Sequence, residues 1–144
     1  MQCRGVRGAT TVEENSREAI LCGTRHLRAL MIRLNGIEPE DVASAIFSMT
    51  PDLDSEFPSL AARQLGWLDV PLLCTNEIPV RESLRRCVRI LVNWNTCKPQ
   101  KSIAHIYIKG AIQLRPDLRK LPPVDFDDLE AWIAQYMTHL DDDG

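Results

Sequence analysis

An α+β fold, a mixed β-sheet beside one long helix, is the class this sequence predicts, on three observations. Segments with strand patterning and segments with helical spacing are interleaved without the strict β-α alternation of a parallel sheet. Ile20, Thr24, Leu27, Met31 and Leu34 recur at helical spacing, the only long stretch that does so cleanly. With 144 residues, 44% of them hydrophobic and 26% charged, the chain fits one ordinary globular core.

The elements follow in order. Cys3 to Ala9 reads as a short strand, with Thr10-Thr11 as a turn. Asn15 offers an N-cap and Glu18, three residues on, completes a capping box. The helical stripe begins there, and Gly36 supplies a left-handed stop. Val42 to Met49 is small and apolar, a strand ended by Thr50-Pro51-Asp52. Pro58 opens a short helix to Gln64 that Gly66 closes, and Val70 to Thr75 is a further strand. Arg81 to Arg86 is compatible with a helix. Val88, Ile90, Val92 and Trp94 alternate instead, as a strand does, which leaves Cys87, Arg89, Leu91 and Asn93 on the opposite face. An Arg there is either an edge residue or a cation presented to a pocket. Ile103 to Ile108 reads as a strand, and Arg115-Pro116-Asp117 as its exit turn. After a candidate linker, Lys120 to Asp125, a stripe of Leu129, Trp132, Ile133, Tyr136, Met137 and Leu140 marks a helix too short to stand alone.

Composition narrows the chemistry. The net charge of −3 predicts no nucleic-acid partner, and a basic stripe with aromatic platforms is missing. No run approaches the roughly 18 apolar residues of a membrane span, so no membrane partner is expected. Five cysteines without a C-x-x-C pair suggest reduced thiols, and with the absence of an apolar leader they predict a cytoplasmic protein. Of the 17 basic residues 13 are Arg, whose planar fork suits carboxylates. There is no G-x-S-x-G, no phosphate loop and no H-E-x-x-H, and His26, His105 and His139 are scattered and read as structural. An enzyme built from these residues needs a reaction with neither nucleophile, metal nor cofactor.

One family combines these features. The opening Arg4-Gly5-Val6-Arg7-Gly8-Ala9-Thr10-Thr11-Val12 is followed by Thr50-Pro51-Asp52-Leu53, Phe57-Pro58, Ala61 and Arg63. Gly66-Trp67, Val70-Pro71, Cys74, Glu77 and Arg89 come next, then His105-Ile106-Tyr107 and Leu114-Arg115-Pro116-Asp117-Leu118. In this order the motifs resemble those of the AroH-class, monofunctional chorismate mutases. The resemblance implies an isomerase that rearranges chorismate to prephenate, a pericyclic step of aromatic amino acid biosynthesis. It also implies a homotrimer like a pseudo-α/β barrel, with active sites at subunit interfaces.

By that similarity Arg89 reaches the ether oxygen and a carboxylate, while Arg7 and Tyr107 bind the enolpyruvyl carboxylate. Glu77 accepts from the ring hydroxyl with Cys74 at the same end. Arg63 and Arg115 complete a cationic wall, and Phe57 and Leu114 exclude water. Residues 1–119 would form the chorismate mutase domain and 120–144 an extension, a helix packed on its own or a neighbouring subunit. The sequence departs from the family at Leu60, often Lys, and at Pro79 to Ser83, which replaces a glycine-rich turn. A non-catalytic trimeric binder of small acids is the competing reading, and chorismate turnover separates the two.

Overall fold

The computed structural model describes residues 1–117 and 121–137. In chain order these form β1 (Gln2–Thr11), α1 (Arg17–Asn35), β2 (Val42–Met49), α2 (Ser59–Gln64), β3 (Leu72–Asn76), β4 (Cys87–Thr96), β5 (Ile106–Tyr107) and α3 (Phe126–Ala134). The strands make one sheet in the order β3-β2-β4-β1-β5. Central β4 runs antiparallel to both neighbours, whereas β2 with β3 and β1 with β5 pair in parallel. The fold is the expected α+β class with a mixed sheet.

Alternation along β4 decides which side is core. Val88, Ile90, Val92 and Trp94 are buried, and their register partners Val6 and Phe47 are fully buried with them. α1 lies on this side through Leu27, Leu30 and Met31. Gly8 permits the close approach: a Cβ there would run into the Met31 thioether and the end of Leu27. The buried line on α1 ends with Asn35, whereas the expected Leu34 is 48% exposed. Arg28 is also buried on α1. Its guanidinium stacks 4.3 Å over the Trp67 ring, and burial pulls its pKa down to about 9.

Several boundaries differ from the sequence reading, each for a local reason. The N-cap of α1 is Ser16, whose hydroxyl accepts from the Ala19 N–H; Asn15 instead bonds Asp54 and Ser55. Gly36 ends the helix in the left-handed region as expected, at φ 75°. Thr10 and Thr11 are not a turn but continue β1, paired with Val88 and Cys87. No helix forms over Arg81 to Arg86, where Glu82 and Arg86 adopt positive φ. The expected strand from Ile103 shrinks to Ile106–Tyr107 because the Asn35 side chain claims the backbone first. It donates to the Ala104 carbonyl and accepts from the Ala104 N–H, both at 2.9 Å.

α3 begins at an Asp125 cap and buries Leu129 and Ile133 in the main core beside α1. Arg33 of α1 pairs with Asp128 at 3.2 Å and His26 with Glu130. The helix stops at Ala134, so Tyr136 and Met137 lie past its end and are exposed. Leu118, His139 and Leu140 fall outside the described residues. No described helix is long and apolar enough to cross a membrane.

Candidate active site

The sheet face turned away from α1 carries the candidate chemistry. Arg89 is opposite Ala9 on β1 and Ser48 on β2, while Arg7 is opposite Leu91. Arg7 and Arg89 are therefore diagonal neighbours on one face, a separation of roughly 7–8 Å at the backbone. Tyr107 pairs with Ala9 from the other side and joins the same face. The alternation along β4 thus resolves the open question about Arg89: it is a cation held on a sheet face beside a second one.

The strand that presents Arg89 is anchored at its start by Thr50-Pro51-Asp52. The Thr50 hydroxyl accepts from the Cys87 N–H at 3.0 Å and the Asp52 carboxylate from the Arg86 N–H at 2.9 Å. Burial works to raise the Asp52 pKa, but the Thr50 and Arg86 hydrogen bonds outweigh it and hold the carboxyl low. Glu77 is positioned by its own N–H, which donates to the Met49 carbonyl and extends the β2–β3 ladder. Its carboxylate stands 3.4 Å from Arg89 Nε, and both side chains are about one-quarter exposed, at 24% and 25%. Arg89 Nε is itself buried and meets no acceptor with hydrogen-bond geometry. The cation is thus held near an anion yet keeps a donor in reserve.

The surroundings are cationic and partly dry. Burial raises the Cys87 thiol pKa, only partly offset by the neighbouring Arg89 cation. Ala9, Cys87 and Ala111 form a small apolar cluster against which Tyr107 and Leu114 pack. Burial first, and then Arg115 and Arg7, push the His105 pKa down. Its Nδ1 accepts from the Arg7 N–H at 3.0 Å, so it pins β1 and takes the structural role expected of it. Arg115 makes two 3.1 Å hydrogen bonds to Asp117 and also interacts with the Tyr107 side chain. Tyr107 and Arg115 line a cavity of about 580 Å³ whose far wall is Leu121 to Val124 with Phe126.

The remaining candidates lie elsewhere on this chain. Phe57, 70% exposed, and Cys74 line a separate cavity of about 360 Å³ near the β3 edge. Arg63 is on α2 and partly exposed. Cys74 pairs with buried Phe47, so its thiol is on the core side of the sheet, not on the Arg89 face. Thr75, which the sequence reading passed over, has the opposite orientation: it pairs with Ser48, shares the Arg89 face and lines the Phe57 cavity. Counting back by two from Glu77 would have found it. None of the Arg-rich residues forms a metal-ligating set. Among the described residues one Cys–His–carboxylate group, between α1 and α3, has donor atoms close enough together to hold an ion.

A fixed pair of guanidiniums, a phenol and a carboxylate on one half-dry face suit a small acid with more than one carboxylate and a hydroxyl. Comparison with known proteins agrees with that chemistry. The family model for chorismate mutase type I matches residues 3–118. A chorismate mutase AroH of Thermus thermophilus is 51% identical over 116 residues, covering 80% of this chain and 95% of that protein. The Bacillus subtilis (strain 168) chorismate mutase AroH is 44% identical over 119 residues, covering 82% and 94%. A solved chorismate mutase from Clostridium thermocellum superposes with a TM-score of 0.73 at 45% identity, over 74% of this chain and 96% of that one. With motifs, sheet and near-complete coverage of these relatives in agreement, the chain belongs to the chorismate mutase type I family.

Proposed function

We propose that this chain converts chorismate to prephenate, with Arg89 as the residue that stabilises the transition state. The rearrangement is intramolecular: one carbon–oxygen bond breaks as one carbon–carbon bond forms, and no proton moves. The protein therefore has two tasks. It holds the enolpyruvyl arm over the ring in its reactive conformer, and it meets the negative charge that grows on the ether oxygen. Arg89, whose buried Nε is ion-paired with Glu77 but makes no hydrogen bond, suits the second task, and this observation carries the reading. An uncommitted donor in a part-dry site costs nothing to reorganise when charge appears.

Arg7 and Tyr107 take the enolpyruvyl carboxylate, and Arg63 and Arg115 extend the cationic wall. Glu77 has lone pairs enough to keep Arg89 near and accept from the ring hydroxyl. Cys74 contributes through the backbone of edge strand β3, since its thiol is turned to the core. Phe57 and Leu114 keep water out. Residues 1–119 serve as the catalytic domain and 120–144 as an extension.

The active form is a homotrimer whose sites are completed between neighbours. Two facts support this. The Arg89 face leaves Ile46 and Leu91 only half-buried, and Leu73, Ile78 and Val80 stand exposed along the β3 side with Phe57. Four of the site residues are also split between two cavities of one chain, Tyr107 and Arg115 in one and Phe57 and Cys74 in the other. The enzyme works in the cytoplasm, in keeping with its five free thiols. Loss of the ultraviolet absorbance of chorismate, with prephenate as sole product, tests the activity. Sedimentation with parallel assays tests the assembly. Purified folded protein without turnover would refute the first, and a fully active monomer the second.

A further inference from the structure

Cys22 and His26 stand one turn apart on α1, and Glu130 of α3 reaches across to meet them. Cys22 Sγ lies 3.9 Å from His26 Nε2 and 3.9 Å from Glu130 Oε1, and these last two atoms are in direct contact. All three donor atoms fall within 4.8 Å of one another. The His26 ring is steadied by Phe126, with centroids 5.1 Å apart. Cys22 and His26 are half-buried and Glu130 is exposed, so the group is walled on one side and open on the other. It belongs to the α1 side of the molecule, away from the Arg89 face.

This grouping does not have the form of a proton relay. A thiol–imidazole–carboxylate relay uses the two ring nitrogens separately, one toward each partner. Here sulfur and carboxylate converge on the same nitrogen, Nε2, which carries at most one proton. Cys22 and His26 also both reach Glu130 Oε1, and the sulfur, nitrogen and oxygen lie close enough together to share one cation. The donor set selects which. Magnesium and calcium take oxygen ligands, whereas a thiolate, an imidazole and a carboxylate together suit zinc.

The two sulfur distances agree. Tetrahedral zinc with bonds of about 2.3 Å to sulfur and about 2.0–2.1 Å to nitrogen or oxygen sets its sulfur roughly 3.6 Å from the other donors. The observed 3.9 Å needs a shift of a few tenths of an ångström. His26 and Glu130 stand closer than two ligands of one zinc, so Glu130 must draw back by roughly an ångström, which its exposed position permits.

We propose that Cys22, His26 and Glu130 form a zinc site, with water in the fourth position, that clamps the α3 segment onto α1. On binding, the Cys22 thiol gives its proton to solvent and zinc takes the thiolate.

The test uses full-length protein stripped with a chelator and titrated with zinc alone. One zinc per chain at micromolar or lower concentration is expected, with a rise in melting temperature. Cobalt(II) in its place should give a sulfur-to-metal charge-transfer band in the near ultraviolet. Cys22→Ser should remove that band and weaken zinc binding by more than the 10–100-fold that losing an outer-shell partner costs. His26→Ala and Glu130→Gln should weaken it too. Zinc bound equally by wild type and Cys22→Ser would place the metal on another thiol and overturn the proposal. So would wild type that takes up no stoichiometric zinc. Because metal content is read directly, neither result depends on whether chorismate turns over.

Discussion

Replacing Arg89 by Ala is the sharpest perturbation of the proposed mechanism, because its effects on rate and on stability should part company. Take the rate first. A preorganised donor aimed at developing charge in a part-dry site is worth about 2.7–4 kcal/mol, or ~10²–10³-fold in kcat. In the proposed mechanism Arg89 also meets a substrate carboxylate, so kcat/KM should fall at least as far.

Stability should respond much less. At 3.4 Å and an effective dielectric of about 20, the gross attraction between Arg89 and Glu77 is about 5 kcal/mol. Desolvation of the two groups cancels most of that. Glu77, one-quarter exposed, can rehydrate once its partner is gone. Removing Arg89 also relieves a buried Nε that no acceptor satisfies. The net change should be within ~1 kcal/mol, which shifts the melting temperature by only ~2–5 °C. The assay is the decline of chorismate absorbance, run beside a thermal melt, with Arg89→Lys as companion. Lys keeps the charge but loses the planar fork, and should recover only part of the rate. A folded Arg89→Ala protein with kcat/KM within tenfold of wild type would mean that another group stabilises the ether oxygen.

Three further outcomes follow from the packing. Gly8→Ala drives a methyl into Met31 and Leu27 and should cost ~1–3 kcal/mol, seen as a lower denaturation midpoint with unchanged slope; an unchanged midpoint would show that α1 can yield. His105 has a folded pKa below its ordinary value, so the unfolded chain binds its proton more readily. Its contribution to stability is present above about pH 6.5 and is lost as pH falls toward the folded pKa. Melting temperature against pH should show that loss well before the one expected below about pH 4, as Asp52 takes up its proton. His105→Asn should flatten the first step only. Truncation before Lys120 removes buried Leu129 and Ile133, a gross ~3–6 kcal/mol of which chain ordering cancels a large part. The melting temperature should drop by ~3–8 °C, and an unaltered melt and oligomer size would deny the extension a structural role.

How much of this was legible in the sequence depends on what each feature rests on. The alternation Val88-Ile90-Val92-Trp94 gave a strand and the correct face for Arg89, because period-two patterning is set by a single buried side. The long helix and its Gly36 stop were legible for the same kind of reason. Failures cluster where a side chain competes with the backbone ladder across a long sequence separation. Asn35 takes the Ala104 amide and carbonyl 69 residues away and shortens β5, and no local window contains that pair. Asn15 is likewise drawn to Asp54 and Ser55, which leaves the cap to Ser16.

The site divides along the same line. Motif order identified Arg7, Glu77, Arg89 and Tyr107 as candidates, but their meeting depends on register, and register is set by pairing between strands far apart in sequence. One residue of offset separates Cys74, facing the core, from Thr75, facing Arg89. A residue-type argument favours the thiol; the pleat selects the hydroxyl. The distinction has a mechanical consequence. Ser48 stands beside Arg89 on β2 and Thr75 beside Ser48 on β3, so the guanidinium is aimed by the sheet as a whole. Thr50 and Asp52, which tie down the entry to β4, govern its position through the backbone of the strand. That explains why a Thr-Pro-Asp turn carries as much of the site's geometry as the arginines do. It holds the strand from which the cation projects.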